Sequence, residues 1–106
     1  GIEGSEPRGF VEMRVNARRA RFGNARLAQD LRTLGVAEEL VGETLGACEA
    51  QHPELSRARQ IWQRRFGDLR AASDLAERTR QTRFLMGRGF SAETIRRVLR
   101  GDFENE

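Results

Sequence analysis

A chain of 106 residues is long enough for one ordinary domain or two very small ones. Hydrophobic residues make up 38% and charged residues 33%, a balance that excludes one thick core and favours thin helical layers with wide solvated faces. Every one of the nineteen basic residues is arginine, so the net charge of +3 is carried by planar, permanently charged forks suited to phosphates and carboxylates.

The opening GIEGSEP, residues 1–7, has no periodicity and reads as a linker or a cloning remnant. Residues 8–21 form the first predicted helix, with Val11, Val15 and, at its end, Phe22 along one face. Gly23 stops it. Asn24 is placed to cap a second helix bearing Leu27, Leu31 and Leu34, which Gly35 ends in the left-handed conformation. Val36 enters a third helix whose stripe is Leu40, Val41, Thr44, Leu45 and Cys48, and His52-Pro53 closes it.

A second unit follows the same plan. Glu54 to Phe66 carries Leu55, Ala58, Ile61, Trp62 and Phe66 inward. A longer helix from about Ala72 to Gly87 presents Leu75, Thr79, Thr82 and Met86, with Leu85 beside them. Gly89 turns the chain, Ser91 caps, and Ile95, Val98 and Leu99 face the core up to Gly101, before an acidic tail at 102–106. A slide of 54 residues places Leu31 on Leu85, Gly35 on Gly89 and Leu45 on Leu99, whereas the RFG triplets Arg21–Gly23 and Arg65–Gly67 are 44 apart. Similar ends around a middle of different length mark a tandem repeat. The fold expected is all-α: helix-turn-helix-like three-helix repeats at 8–52 and 53–101, without strands, in an elongated array curving to one hand or the other.

Charge is segregated: +3 over residues 1–35, −5 over 36–55, +8 over 56–100 and −3 in the tail. Arg18, Arg19, Arg21, Arg26 and Arg32 surround the first turn, and Arg78, Arg80, Arg83, Arg88, Arg96 and Arg97 surround the second. Any one of them reads most simply as a solvated surface cation. As a set, in excess at both units, they point to an anionic partner, either nucleic acid or an acidic protein surface. Along the sequence no aromatic residues interleave with them as a base-stacking platform requires, and Phe22, Phe66, Phe84, Phe90 and Trp62 read as core.

Catalysis finds no support. Cys48 and His52 are the only residues of their kinds, and two ligands four apart do not close a metal site. No catalytic residue, cofactor or metal is therefore expected. MGRGF lacks the strand and lysine of a phosphate loop. The stretch RFLMGRGFSAETIRRVLRG has the outline of a DNA-reading helix-turn-helix, yet its last helix begins Ser91, Ala92, Glu93, Thr94, where base-edge donors should cluster and Glu93 would repel phosphate. With no apolar run of membrane-spanning length and no signal pattern at Gly1, a soluble, cytoplasmic protein is expected.

ARRARFGNARLAQDLRTLGV in the first unit and ERTRQTRFLMGRGFSAETIRRVL in the second resemble the RecX family, bacterial modulators of the RecA recombinase. The resemblance covers about residues 10–100 and rests on order and spacing. It implies the last two of the family's usual three repeats. It also implies a basic surface that lies along the RecA filament, protein plus single-stranded DNA, and suppresses ATP hydrolysis and strand exchange. A non-enzymatic regulator of recombination, DNA repair and the SOS response follows, monomeric and with weak, unselective DNA affinity of its own. The competing reading is a stand-alone helix-turn-helix DNA-binding module.

Overall fold

The computed structural model of the chain describes residues 7–67 and 74–101, and every regular element among them is an α-helix. Six follow in order: α1 (Pro7–Arg18), α2 (Asn24–Thr33), α3 (Glu38–Gln51), α4 (Glu54–Phe66), α5 (Leu75–Gly87) and α6 (Ala92–Arg100). Within each set of three, the first helix packs chiefly on the third, α1 on α3 and α4 on α6. Two separate cores result. Val11, Val15, Leu27, Leu31, Val41 and Cys48 fill one, while Ala58, Ile61, Trp62, Phe66, Leu85, Ile95, Val98 and Leu99 dominate the other. The molecule measures 56 × 27 × 20 Å, and its radius of gyration of 15.5 Å exceeds the value of about 13 Å for a compact domain of this length. Elongation is thus a property of the fold.

The predicted glycine turns form, and they are superimposable in their hydrogen bonds. Gly35 and Gly89 have φ of +85° and +92°, and their amides reach Arg32 O (2.9 Å) and Met86 O (3.0 Å). The next amides, of Val36 and Phe90, reach back to Leu31 O (3.0 Å) and Leu85 O (3.3 Å). Both are the αL helix ending in which the last orphan carbonyls are satisfied. Ser91 caps α6 as its sequence predicts, accepting from the Thr94 amide at 3.1 Å.

Three expectations are corrected. Asn24 is the first residue of α2, not its cap; Gly23 occupies the cap position, and the Asn24 side chain is engaged elsewhere. Leu34 lies just past the end of α2 and is 47% exposed, because the chain has already left the helix when its side chain is placed. In α5 the inward face is not the one read from periodicity: Leu75 and Met86 are 76% and 56% exposed, whereas Gln81 and Leu85 are wholly buried. Gln81 is tolerated there because its Oε1 accepts from the Trp62 indole N–H at 2.9 Å while its amide donates to Glu77 at 2.9 Å. The predicted start of this helix near Ala72 falls in 68–73, outside the described residues.

The two units meet through backbone. The Gly23 amide donates to Arg88 O at 2.7 Å and the Ala25 amide to Gly89 O at 3.1 Å. A Cβ on Gly23 would lie 2.5 Å from Gly89 O, and one on Gly89 would lie 2.3 Å from Arg26 Cβ. Two glycines, one from each unit, allow this approach. Gly35 has nothing within 4 Å of the corresponding point, and Phe10, Met13 and Leu34 are exposed on the first unit.

Candidate functional site

At the junction the first unit's chain reversal, residues 19–24, sits on α4 and on the turn after α5. Arg57 is the residue that organises it. Although it is an arginine on a helix, it is only 4% exposed, and its guanidinium donates to four oxygens. Nε donates to His52 O (2.9 Å), Nη1 to Arg19 O (3.2 Å) and Phe22 O (2.8 Å), and Nη2 to the Asn24 side-chain oxygen. Arg19 O and His52 O lie just past the ends of α1 and α3, so the buried cation is partly balanced by the negative ends of two helices. Glu54 completes the junction from the other side. One carboxylate oxygen accepts from the Asn24 backbone amide (2.9 Å), an orphan donor at the start of α2, and the other from the Thr94 hydroxyl (2.9 Å).

Around this junction the arginines and phenylalanines alternate in space. The Phe22 ring has the guanidiniums of Arg18, Arg26, Arg88 and Arg21 at 4.7, 4.8, 5.8 and 5.9 Å from its centroid. Arg88 also stands 5.1 Å from Phe84, with Arg65 at 5.4 Å. Phe84 meets Phe66 edge to face at 5.5 Å, and Arg65 and Arg80 both lie 5.6 Å from Phe66. Cations from near in sequence, such as Arg21, and from far, such as Arg88, thus form one ladder on aromatic faces. The rings remain partly or wholly buried, so the groups offered to a partner are the guanidiniums.

Carbonyls fix three of these cations across the junction. Arg26 donates to Gly87 O (2.7 Å), Arg88 to Arg21 O (3.2 Å) and Arg64 to Ala20 O (3.1 Å). Beside them lies a groove of about 340 Å³ lined by Ala20, Ile61 and Phe84 and by Arg21, Arg64, Arg65 and Arg88. None of these four arginines pairs with a carboxylate among the described residues.

The sequence-predicted arginines divide accordingly. Arg18, Arg21, Arg26 and Arg88 come together at Phe22, and Arg80 joins at Phe66. Arg19 is half-buried, its carbonyl held by Arg57 and its Nε buried without a partner. Arg32 lies elsewhere, in a forked pair with Glu38 at 2.6 and 3.1 Å. Arg80 pairs with Glu77 at 2.9 Å and Arg96 with Glu93. Arg78 and Arg83 are exposed on α5, and Arg97 is half-buried on α6. Arg57, Arg64 and Arg65 were not singled out by the sequence, although Arg57 and Arg64 are two helical turns apart and Arg65 is the RFG counterpart of Arg21.

Asp30 anchors the edge of the cluster. Arg14 forks onto it at 2.7 and 3.0 Å and Arg18 approaches to 3.6 Å, and the Arg14 hydrogen bonds hold its carboxyl below the usual aspartate range against the opposing effect of burial. A depressed folded-state value means stability that is fully present above about pH 4 and is lost as pH falls through that depressed value. Asp30→Asn is therefore expected to lower the urea midpoint at neutral pH while flattening its acid-side decline. An unchanged acid limb in the variant would remove Asp30 as its source.

The polar groups at the start of α6 are used within the fold. The Ser91 hydroxyl donates to Thr94 Oγ1 at 2.9 Å, the Thr94 hydroxyl donates to Glu54, and Glu93 is held by Arg96. Among the described residues no group of three or more His, Cys, Asp or Glu side chains could hold a metal ion, and no helix is long and apolar enough to cross a membrane.

Comparison with known proteins bears on the family. A family model described as "RecX, third three-helix domain" matches residues 53–99, the stretch of α4 to α6. Curated relatives called "Regulatory protein RecX" include those of Ralstonia pickettii, 42% identical over 92 residues, and Herminiimonas arsenicoxydans, 44% over 97. These alignments cover 87% and 92% of this chain but 55% and 62% of the relatives, so the chain spans a little over half their length. The relative from Acidithiobacillus ferridurans is 44% identical over 77 residues, 73% of this chain and 76% of its own. No solved structure matches the chain.

Proposed function

The chain belongs to the RecX family of regulatory proteins, and from that premise we propose that it regulates homologous recombination by binding the RecA filament on single-stranded DNA and suppressing its ATPase and strand exchange. It does so without chemistry of its own, as a monomer in the cytoplasm, in service of DNA repair and the SOS response. The observation that carries this reading is the junction itself: four arginines from both units, without a carboxylate partner among the described residues and already fixed on aromatic faces and carbonyls, face one groove. Charge of this density and order exceeds what solubility asks of a surface.

Stand-alone base reading by α6 is the poorer alternative. The hydroxyls at its start are used within the fold, and Glu93 occupies the position where a reading helix needs donors. Adding the protein to RecA on single-stranded DNA is expected to lower ATP turnover to a plateau. Unchanged turnover at saturating protein contradicts the regulatory reading, and tight, sequence-selective duplex binding without RecA favours the alternative.

A further inference from the structure

We propose that the groove between the two units is a seat for the sugar–phosphate backbone of single-stranded nucleic acid, and that it is a composite site which exists only while the units are docked. The inference rests on the regulatory reading for its partner class and goes beyond it in naming the component engaged, the residues and the dependence on docking.

The cations come from both sides. Arg21 belongs to the first unit; Arg64, Arg65 and Arg88 belong to the second. Arg64 and Arg88 each spend a donor on a carbonyl of the opposite unit, Ala20 O and Arg21 O, and keep their other N–H groups for a ligand. Arg65 and Arg88 flank the Phe84 ring at 5.4 and 5.1 Å, which limits their rotamers before any ligand arrives. Pre-fixed forks lose less freedom on binding than free ones, and a guanidinium plane accepts both a bidentate phosphate and a stacked base.

The lining favours nucleic acid over an acidic peptide. Apolar Ala20, Ile61 and Phe84 line the groove beside four arginines. A strand of nucleic acid presents that combination, regularly spaced anions with sugar and base faces beside them, whereas an acidic peptide carries its charges on separate flexible stems. A single strand is the form tested, because its bases and sugars are open to the apolar lining while its phosphates meet the arginines.

Docking enters through Gly23 and Ala25, whose amides donate to Arg88 O and Gly89 O across the junction. A ligand held by both units must oppose their separation, and these amides report it.

The test uses the whole chain with labelled oligo-dT and no recombinase. Combined Arg64→Ala, Arg65→Ala and Arg88→Ala should reduce affinity at least about tenfold. The slope of log K against log salt should fall by about 2, since each phosphate contact on a single strand contributes about 0.7. Arg8→Ala, which removes an exposed arginine paired with Glu43, should leave the slope nearly unchanged. In the wild type, oligo-dT at about 100 times its Kd should slow hydrogen exchange at Gly23 and Ala25 by up to about 100-fold. An unaltered salt slope in the triple variant, equal displacement by poly-glutamate, or duplex binding as tight as single-strand binding overturns the groove. Saturated binding with no slowing at Gly23 and Ala25 overturns its composite character. If oligo-dT behaves as described while RecA turnover does not change, the groove stands and the regulatory reading falls; suppressed turnover with an unaltered oligo-dT slope in the triple variant does the reverse.

Discussion

Gly89→Ala is expected to destabilise the protein by about 2–5 kcal/mol, far more than the same change at Gly35. Both glycines sit in the left-handed region, at φ +92° and +85°, where an L side chain costs about 1–2 kcal/mol. Only Gly89 also faces a neighbour: its new Cβ would lie 2.3 Å from Arg26 Cβ and 2.6 Å from Arg26 N, and overpacking of that kind adds about 1–3 kcal/mol. Gly35 has nothing within 4 Å, so it isolates the conformational part. Gly23→Ala isolates the steric part, because its φ of −83° suits any residue while its Cβ would meet Gly89 O at 2.5 Å. Urea midpoints for the three variants check this directly. Equal losses at Gly35 and Gly89 would mean that the units do not press together as described.

Arg57→Met is expected to be the most damaging change of a charged residue, at about 3–5 kcal/mol. Methionine fills much of the space, but His52 O, Arg19 O, Phe22 O and the Asn24 side-chain oxygen lose their charged donor inside the molecule. Thermal midpoints fall by about 4–8 °C per kcal/mol in a domain of this size, so the shift is large. Arg57→Lys is not expected to rescue it, since a compact ammonium cannot reach acceptors arranged around a planar fork. Arg59→Met, on an exposed position of the same helix, is the comparison. A loss at Arg57 no larger than that at Arg59 would reassign the junction's stability to the glycine contact alone.

What the sequence conveyed was periodic and local. Glycines at turns, the Ser91 cap and the apolar stripes of α1, α3, α4 and α6 are readable because backbone conformation and helical phase depend on near neighbours. The inward face of α5 is hidden from periodicity because Leu75 and Met86 are exposed, and one of its two wholly buried positions is a glutamine whose partner, Trp62, lies in another helix. Arg57 is inconspicuous in the sequence for a related reason: a buried cation is recognisable only once the helix ends that balance it are known. The alternation of arginine and phenylalanine is likewise invisible along the chain, since Phe22 and Arg88 are 66 positions apart in sequence but 5.8 Å apart in space. Of the eleven arginines picked by charge, Arg18, Arg21, Arg26, Arg80 and Arg88 join the ladder. Arg32 and Arg96 are held by Glu38 and Glu93 in local pairs, which no count of charges reveals.

The most direct measurement compares two single-charge variants in one assay, ATP turnover by RecA on single-stranded DNA titrated with the chain at several salt concentrations. Arg88→Ala takes a cation from the junction and Arg8→Ala takes one from the far end of α1, about 16 Å along the helix. The junction, as described, predicts that Arg88→Ala raises the concentration needed for half-suppression several-fold and lessens its salt dependence, while Arg8→Ala follows the wild type. Coincident titrations for the two variants would contradict it.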